Sequence, residues 1–143
     1  MSIWRRTASL AQLNQLSENT VVSYLGIEFI EIGEDYLKAR MPVTANQVQP
    51  ARILHGGVSV VLAETLGSVA SVLCIDEDSG KQPVGLEINA SHLRSVPEGG
   101  EVVGICRPVR IGRQVHFWEI ELQDAKERPI CRSRLTVMLR DAK

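Results

Sequence analysis

The side chains best suited to chemistry lie in one mostly apolar stretch, HGGVSVVLAETLGSVASVLCI, which begins at His55. Gly56 and Gly57 follow the histidine, and a single carboxylate, Glu64, comes nine residues after it. At a helix start the backbone amides lack intrahelical partners and attract negative charge, and glycine lets a ligand approach closely. Such amides could polarise an acyl carbonyl as an oxyanion hole. Taken alone, the two glycines fit a tight turn into the helix equally well.

Glu64 is the second unusual feature of this stretch. An unpaired carboxylate is costly to bury, so Glu64 either faces a solvent-filled crevice or is held for chemistry. Ser68 and Ser71 follow it at four and seven residues, and this spacing predicts that the three polar groups share one helix face. A face that merely meets solvent has the same spacing.

The distance between the two features has a consequence for assembly. Eight residues separate Gly56 from Glu64, which is about 12 Å along a helix. One carbonyl therefore cannot contact both groups in the same chain. Two such helices, antiparallel across a two-fold axis, would place Glu64 of one protomer beside Gly56 of the other. If both groups act on one substrate, we expect at least a dimer with composite sites.

Other polar residues are weaker candidates. His55 could bond the helix start or orient a carbonyl, and the Gln49 amide could hold a water or a thioester oxygen. The pattern places His92 on the inward face of a strand, where a core histidine is the simpler interpretation. Three arginines near predicted strand ends are either surface charges or contacts for phosphates. They are Arg94, Arg110 and Arg113.

Hydrophobic periodicity predicts the elements that carry these residues. Residues 8–17 form an amphipathic helix capped by Thr7 or Ser9, a hairpin follows, and a buried helix spans about residues 56–75. Four later segments alternate as strands, with Gly85, Gly104 and Gly112 as expected bulges or bends. The expected inward residues are Leu37, Ala39, Met41 and Val43; Val84, Leu86, Ile88, Ala90 and His92; His116, Trp118, Ile120 and Leu122; and Cys131, Ser133, Leu135, Val137 and Leu139. We therefore predict an α+β fold in a single domain, residues 1–143, with an antiparallel sheet of about six strands curled around one long central helix.

Composition limits the class of protein. The net charge of −1 gives no footprint for nucleic acid. The three cysteines lack metal-ligand spacing, which favours buried thiols in a reducing cytoplasm and no metal site. No signal peptide is evident, and a charge at the centre of the apolar run argues against membrane insertion.

Two segments, QPARILHGGVSVVLAETLGSVA and VGLEINASHLRS, together resemble the hotdog-fold acyl-CoA thioesterases of the 4-hydroxybenzoyl-CoA thioesterase type. The resemblance runs from about residue 3 to residue 139, and it is the combination of HGG, the later acid and GLEINASH that is specific. It implies hydrolysis of acyl-CoA, preferably with an aromatic acyl group, by a homotetramer built as a dimer of dimers. It also implies no cofactor, since coenzyme A belongs to the substrate.

The same resemblance implies residue roles. Glu64 would be the nucleophile or the general base, and the Gly56 amide of the partner subunit would polarise the thioester carbonyl. Gln49 and His55 would position the thioester, and Ser68 would line the acyl or water side with His92. The stretches matching the coenzyme A contacts of the family are Gly85; His92, Leu93, Arg94 and Ser95; and Arg110, Ile111, Gly112, Arg113, Gln114 and Val115. This chain has Ala51-Arg52 where close relatives usually have Phe-Gly, beside the acyl pocket.

Several alternatives stay open at this point. The enzyme could be a proofreading or general thioesterase, and its donor could be an acyl carrier protein. A hotdog dehydratase would need a histidine and an acid in one pair, whereas His55 and Glu64 face opposite sides of one helix. A non-catalytic acyl-CoA sensor usually carries a DNA-binding segment, for which this chain has no spare residues.

Overall fold

The structure, a computed structural model, describes residues 1–142. The helices are α1 (Leu10–Leu16), α2 (Val21–Tyr24) and α3 (Gly56–Leu73), with a 3-10 turn at Glu77–Ser79. The strands are β1 (Glu28–Ile32), β2 (Leu37–Pro42), β3 (Lys81–His92), β4 (Glu101–Ile111), β5 (Val115–Gln123) and β6 (Pro129–Asp141).

The strands form one six-stranded antiparallel sheet in the order β1-β2-β4-β5-β6-β3. Helix α3 contacts five of them, β2 to β6, so the sheet curls around it. The predicted α+β architecture, with about six strands around one long helix, is confirmed. Strand β3 forms one edge of the sheet, and its outer side has no strand partner within residues 1–142.

The first helix is fixed by its cap. The Ser9 hydroxyl accepts a hydrogen bond from the Gln12 amide at 3.1 Å, and the Gln12 side chain accepts from the Ser9 amide at 2.9 Å. This reciprocal capping box identifies Ser9 as the cap, one of the two predicted alternatives. The helix begins and ends slightly inside the predicted residues 8–17. It buries Leu13 and leaves Leu16 80% exposed.

Two strands show where alternation succeeds and fails. The predicted inward face of the first hairpin's second strand is confirmed, since all four of its residues are fully buried. In β3 the register with β6 shifts between Gly85 and Glu87, so Leu86 is an extra residue. A bulge inverts the faces of the residues beyond it. The prediction that Val84 and Leu86 share the inward face of Ile88 is therefore wrong, and Leu86 is 55% exposed.

Gly104 and Gly112, the other two glycines that were predicted at bulges or bends, differ in their roles. Gly104 was expected at a bulge or bend, but it sits in regular register. A Cβ there would lie 2.6 Å from Leu66 Cδ1, so the glycine allows α3 to pack closely on the sheet. The β4 bulge falls instead at Val109. Gly112 lies in the tight turn between β4 and β5, as expected for a bend.

One polar cluster is enclosed in the core. The Trp118 Nε1–H donates to Ser71 Oγ at 2.7 Å, and Ser71 Oγ lies 2.9 Å from His116 Nδ1. All three residues are buried, and burial lowers the pKa of His116 below its ordinary 6.5. Ser71 therefore belongs to the core, although it lies on nearly the same side of the helix as Glu64, and the alternative that this whole face meets solvent is wrong.

The apolar helix is internal to this fold. By length and hydropathy α3 could cross a membrane, but it is the core helix of this fold and packs against five strands. The three cysteines are free and buried, as predicted. Burial raises the pKa of Cys74 to about 12, so its thiol stays protonated.

Candidate active site

The start of α3 leaves one amide available for a ligand. His55 is the N-cap, and its Nδ1 accepts from the Gly57 amide at 2.9 Å. The His55 carbonyl accepts from the Val58 and Ser59 amides at 3.0 and 3.2 Å. The Gly56 N–H is thus the one first-turn amide without a partner among the described residues. His55 serves as a hydrogen-bonding cap, which was one of its two predicted roles.

Gly56 lines a cleft of about 400 Å³, here called the Gly56 cleft. A Cβ on Gly56 would lie 2.9 Å from His92 Nε2, so only glycine allows the imidazole to approach the helix start this closely. His92 is exposed to the cleft, which corrects the simpler interpretation of it as a core histidine. The cleft is lined by Ile53, Leu54, Gly56, Ser59, His92, Leu93, Arg94, Ser95 and Ile130. Ser59 was missed by the sequence analysis.

Glu64 lies in a second cleft, halfway along α3. This Glu64 crevice has a volume of about 380 Å³ and is lined by Val22, Val61, Glu64, Thr65, Ser68 and Val69. Glu64 is half-buried, and within residues 1–142 it forms no salt bridge. The structure thus favours a carboxylate that faces a crevice. Ser68 shares the crevice, as predicted, and Thr65 adds a hydroxyl that the sequence analysis did not identify.

Gly85 lies directly against this carboxylate. A Cβ on Gly85 would stand 2.6 Å from Glu64 Oε2. The bulge in β3 begins at this residue, so the strand is displaced where the acid needs room. The resemblance implied a coenzyme A contact for Gly85, and the structure shows that it borders Glu64.

The Glu64 crevice adjoins a larger apolar cavity of about 600 Å³ between α1 and the second half of α3. Val22 and Val69 line both spaces. The apolar lining residues of the larger cavity are Ala8, Leu13, Leu16, Val22, Val69, Val72 and Leu73. Sequence periodicity gave no signal for it, because it arises from the way two helices pack.

Gln49 lies in the loop that leads to α3. Its side-chain oxygen accepts from the Ala51 amide, which leaves its NH₂ group free to donate. Arg52 in the same loop has a left-handed backbone with φ of 64°, a conformation that glycine adopts without strain. The family resemblance implies a glycine at this position. Arg52 also pairs with Glu98 at 2.8 Å on the surface.

Within one protomer the predicted site residues form two separate groups. The Gly56 cleft adjoins His92 at the end of β3, while Glu64 adjoins Gly85. His92 comes seven residues after Gly85 along the strand, which corresponds to roughly 23 Å. The turn at residues 110–115 lies at the Gly85 end, because its last residue pairs with Met138 and Met138 pairs with Val84.

The arginines follow the same division. Arg94 borders the Gly56 cleft, whereas Arg110, near the end of β4, and Arg113, in the turn after it, lie at the other end of β3. All three are exposed and, in the part of the chain that the structure describes, none is in a salt bridge. Their charges are therefore free to meet an anion, but one protomer does not bring all three together.

Comparison with known proteins supplies the family. The model of the thioesterase superfamily matches residues 51–131. The chain is 47% identical to the 1,4-dihydroxy-2-naphthoyl-CoA hydrolase of Escherichia coli over 137 residues, which cover 96% of this chain and 98% of the relative. It is also 47% identical to the proofreading thioesterase EntH of Cronobacter turicensis over 134 residues, which cover 94% and 96%.

Two solved structures share the fold. Thioesterase HI1161 from Haemophilus influenzae superposes with a TM-score of 0.93 at 46% identity, covering 97% of this chain and 95% of the other. A mutant of thioesterase PA1618 from Pseudomonas aeruginosa superposes with a TM-score of 0.95 at 43% identity, covering 99% and 100%. The chain therefore belongs to the thioesterase superfamily, has the hotdog fold, and is a thioesterase, an enzyme that hydrolyses thioesters.

Proposed function

We propose that this enzyme hydrolyses aromatic acyl-CoA thioesters, with 1,4-dihydroxy-2-naphthoyl-CoA of menaquinone biosynthesis as its substrate, in composite sites across a two-fold axis. The observation that carries the proposal is the separation of the free Gly56 amide from the Glu64 carboxylate on one rigid helix. The activity in the name of the Escherichia coli relative supports the choice of acyl group. We further infer a cytoplasmic enzyme with no cofactor.

The unpaired edge of β3 offers a way to join the two groups. Edge strands present free N–H and C=O groups that can pair with a second chain. An antiparallel pairing centred between residues 88 and 89 would place Gly85 opposite the partner's His92. Since Glu64 adjoins Gly85 and Gly56 adjoins His92, Glu64 would then face the partner's Gly56. Two such dimers would form the proposed tetramer.

The chemistry follows from these two groups. The partner's Gly56 amide donates to the thioester carbonyl and stabilises the oxyanion that forms. Glu64 either removes a proton from water, whose oxygen then attacks the carbonyl carbon, or attacks it directly to give a mixed anhydride that water hydrolyses. In both routes the C–S bond breaks, the sulfur leaves as a thiolate that takes up a proton, and the acid is released.

The remaining residues have supporting roles. The free NH₂ group of the partner's Gln49 and the cap formed by the partner's His55 position the carbonyl. The Thr65 and Ser68 hydroxyls line the acyl side together with the partner's His92. An aromatic acyl group enters the Glu64 crevice, whose walls are otherwise valine side chains. Coenzyme A lies along residues 92–95 of one protomer and residues 110–115 of the other, where the exposed arginines meet its phosphates.

The test of Glu64 uses a neutral replacement of the same shape. Glu64→Gln should lower kcat for an aroyl-CoA by about 10²- to 10⁴-fold, which is the usual contribution of a general base. Glu101→Gln, at the exposed start of β4, is the matched control and should keep wild-type activity. Near-normal hydrolysis by a folded Glu64→Gln protein would rule out this role.

Gly56 permits an equally direct test. Proline is favoured at the first helical position, and the extended His55 backbone (φ −70°, ψ 129°) suits a residue before proline. Gly56→Pro removes the amide hydrogen, whereas Gly56→Ala adds a similar first carbon and keeps it. Gly56→Pro should cost about 10²- to 10³-fold in kcat, as for loss of one oxyanion donor, beyond any effect of alanine. Equal activity of the two variants would exclude the amide.

The composite site predicts complementation. Glu64→Gln and Gly56→Pro chains, each nearly inactive, should regain activity when coexpressed, because a mixed dimer contains one site with both groups intact. The control is a mixture of the two variants that were purified separately and combined under conditions in which their subunits do not exchange. Folded mixed dimers that remain inactive would refute the two-fold site.

A further inference from the structure

One buried polar side chain lacks a partner, and it lies in the proposed site. Five polar residues among residues 1–142 are buried. Gln47, Ser71, His116 and Ser133 each form side-chain hydrogen bonds. Ser59 is 2% exposed, and its hydroxyl forms none with residues 1–142.

The Ser59 hydroxyl is open to the Gly56 cleft. Within residues 1–142, every side-chain nitrogen or oxygen that is fully enclosed has a hydrogen-bond partner. The Ser59 hydroxyl has no partner, so its oxygen belongs to the small exposed part of the residue. Ser59 lines the cleft, and a helical side chain leans towards the helix start. This oxygen therefore points into a space that a ligand can fill.

The other polar side chains that line the cleft, His92, Arg94 and Ser95, come from the end of β3 and the segment after it, not from α3. The Leu93 and Arg94 amides both donate to the Ile130 carbonyl, at 2.8 and 3.4 Å. The cleft also has apolar walls, formed by Ile53, Leu54, Leu93 and Ile130. The free Gly56 amide and the Ser59 hydroxyl are thus the two polar groups that α3 offers here.

Their spacing matches a feature of the proposed substrate. Ser59 lies three residues after Gly56 on the same helix face, about 4.5 Å along the axis. In a coenzyme A thioester, a two-carbon link joins the sulfur to the first amide of the pantetheine arm. A substrate whose carbonyl meets Gly56 therefore carries that amide about one helical turn away.

We propose that Ser59 is a positioning residue that hydrogen-bonds the first amide of the pantetheine arm and so fixes the carbonyl against the Gly56 amide. The inference rests on the proposed function. A hydroxyl can donate to the amide oxygen or accept from the amide N–H, so it suits either orientation. Ser59 would make the enzyme selective for the thiol portion of its substrate, independently of the acyl group.

The test compares three benzoyl thioesters that differ only in the thiol: benzoyl-CoA, the N-acetylcysteamine thioester, which retains the amide, and the S-propyl thioester, which lacks it. Ser59→Ala should lower kcat/KM about 3- to 10-fold for the first two and leave the third unchanged, as expected for loss of one hydrogen bond. Ser59→Cys fills the same space with a weak hydrogen-bonding group and should behave like alanine. Ser133→Ala, a buried serine on β6, is the control.

Each outcome decides the inference. An equal loss on all three thioesters, or no loss on any, would overturn it, and so would a Ser59→Cys protein that behaves like wild type. A second readout is binding of benzoyl-CoA to the Glu64→Gln protein, which Ser59→Ala should weaken by the same factor. If the wild type hydrolyses no thioester, the proposed function itself fails; if hydrolysis depends on Glu64 but Ser59 shows no thiol selectivity, only this inference fails.

Discussion

Gly85→Ala should damage catalysis while leaving the fold intact. The new Cβ would lie 2.6 Å from Glu64 Oε2, whereas ordinary contact begins at 3.4 Å, so the carboxylate oxygen must move by about 0.8 Å. Gly85 is not among the glycines with positive φ, so alanine fits its backbone. Since a misplacement of about 1 Å can cost about 10²-fold in rate, we expect kcat to fall roughly 10- to 100-fold.

The assay separates this effect from unfolding. Steady-state kinetics on an aroyl-CoA give kcat and KM, and thermal unfolding gives Tm, which should change little because the atom that yields is the end of a flexible side chain. Gly104→Ala is the matched control. Its Cβ would press on Leu66 Cδ1 at 2.6 Å in the core, so it should lower stability by about 1–3 kcal/mol and preserve kcat of the folded protein.

Two results would refute the reasoning. A folded Gly85→Ala protein with wild-type kcat would mean that the position of the Glu64 carboxylate does not limit the reaction. A rise in KM alone would mean that Gly85 acts on coenzyme A, as the family resemblance implied, and that its contact with Glu64 has no catalytic consequence.

Two further predictions concern the core and the apolar cavity. Because burial lowers the pKa of His116, the unfolded chain binds a proton near pH 6.5 that the folded chain does not, so stability should decrease as pH falls from 7.5 to 5.5. Tm of His116→Gln should decline less over this range, and parallel curves would contradict the assignment. Val72→Phe should fill the cavity between α1 and α3 and lower kcat/KM roughly tenfold or more for acyl groups that extend past Val69, while benzoyl-CoA is spared. Equal losses for short and long acyl groups would show that the cavity is not used.

Local periodicity was sufficient for most of the fold. The buried face of β2 and the extent of α3 were predicted because alternation and a continuous apolar run report burial directly. The bulge expected at Gly85 is confirmed, but its effect on the inward face of β3 was not applied, since a glycine permits a bulge without requiring one. The consequence was that Leu86, an apolar residue in phase with its neighbours, was assigned to the wrong face.

The environment of each polar residue was harder to predict than its element. Ser71 and Glu64 differ by only about 20° around an ideal helix, yet one is enclosed by β5 and the other faces a crevice. Likewise, His92 and His116 both alternate with inward residues, but His92 lies at a strand end beside Gly56 while His116 is enclosed. Which part of a curled sheet lies over a given turn of the helix depends on long-range packing.

The role of α3 connects catalysis to assembly. A hydrogen-bonded helix packed against five strands cannot shorten, so Gly56 and Glu64 stay about 12 Å apart in every protomer. Side-chain rotation cannot close this gap, because the Glu64 carboxylate already lies against Gly85 and the Gly56 amide is part of the backbone. The two groups can act on one carbonyl only if they come from different chains. In the proposed mechanism the same rigidity that separates them within a protomer would align them across the two-fold axis, so a mutation that disrupts the β3 edge should affect the reaction without touching a reacting group.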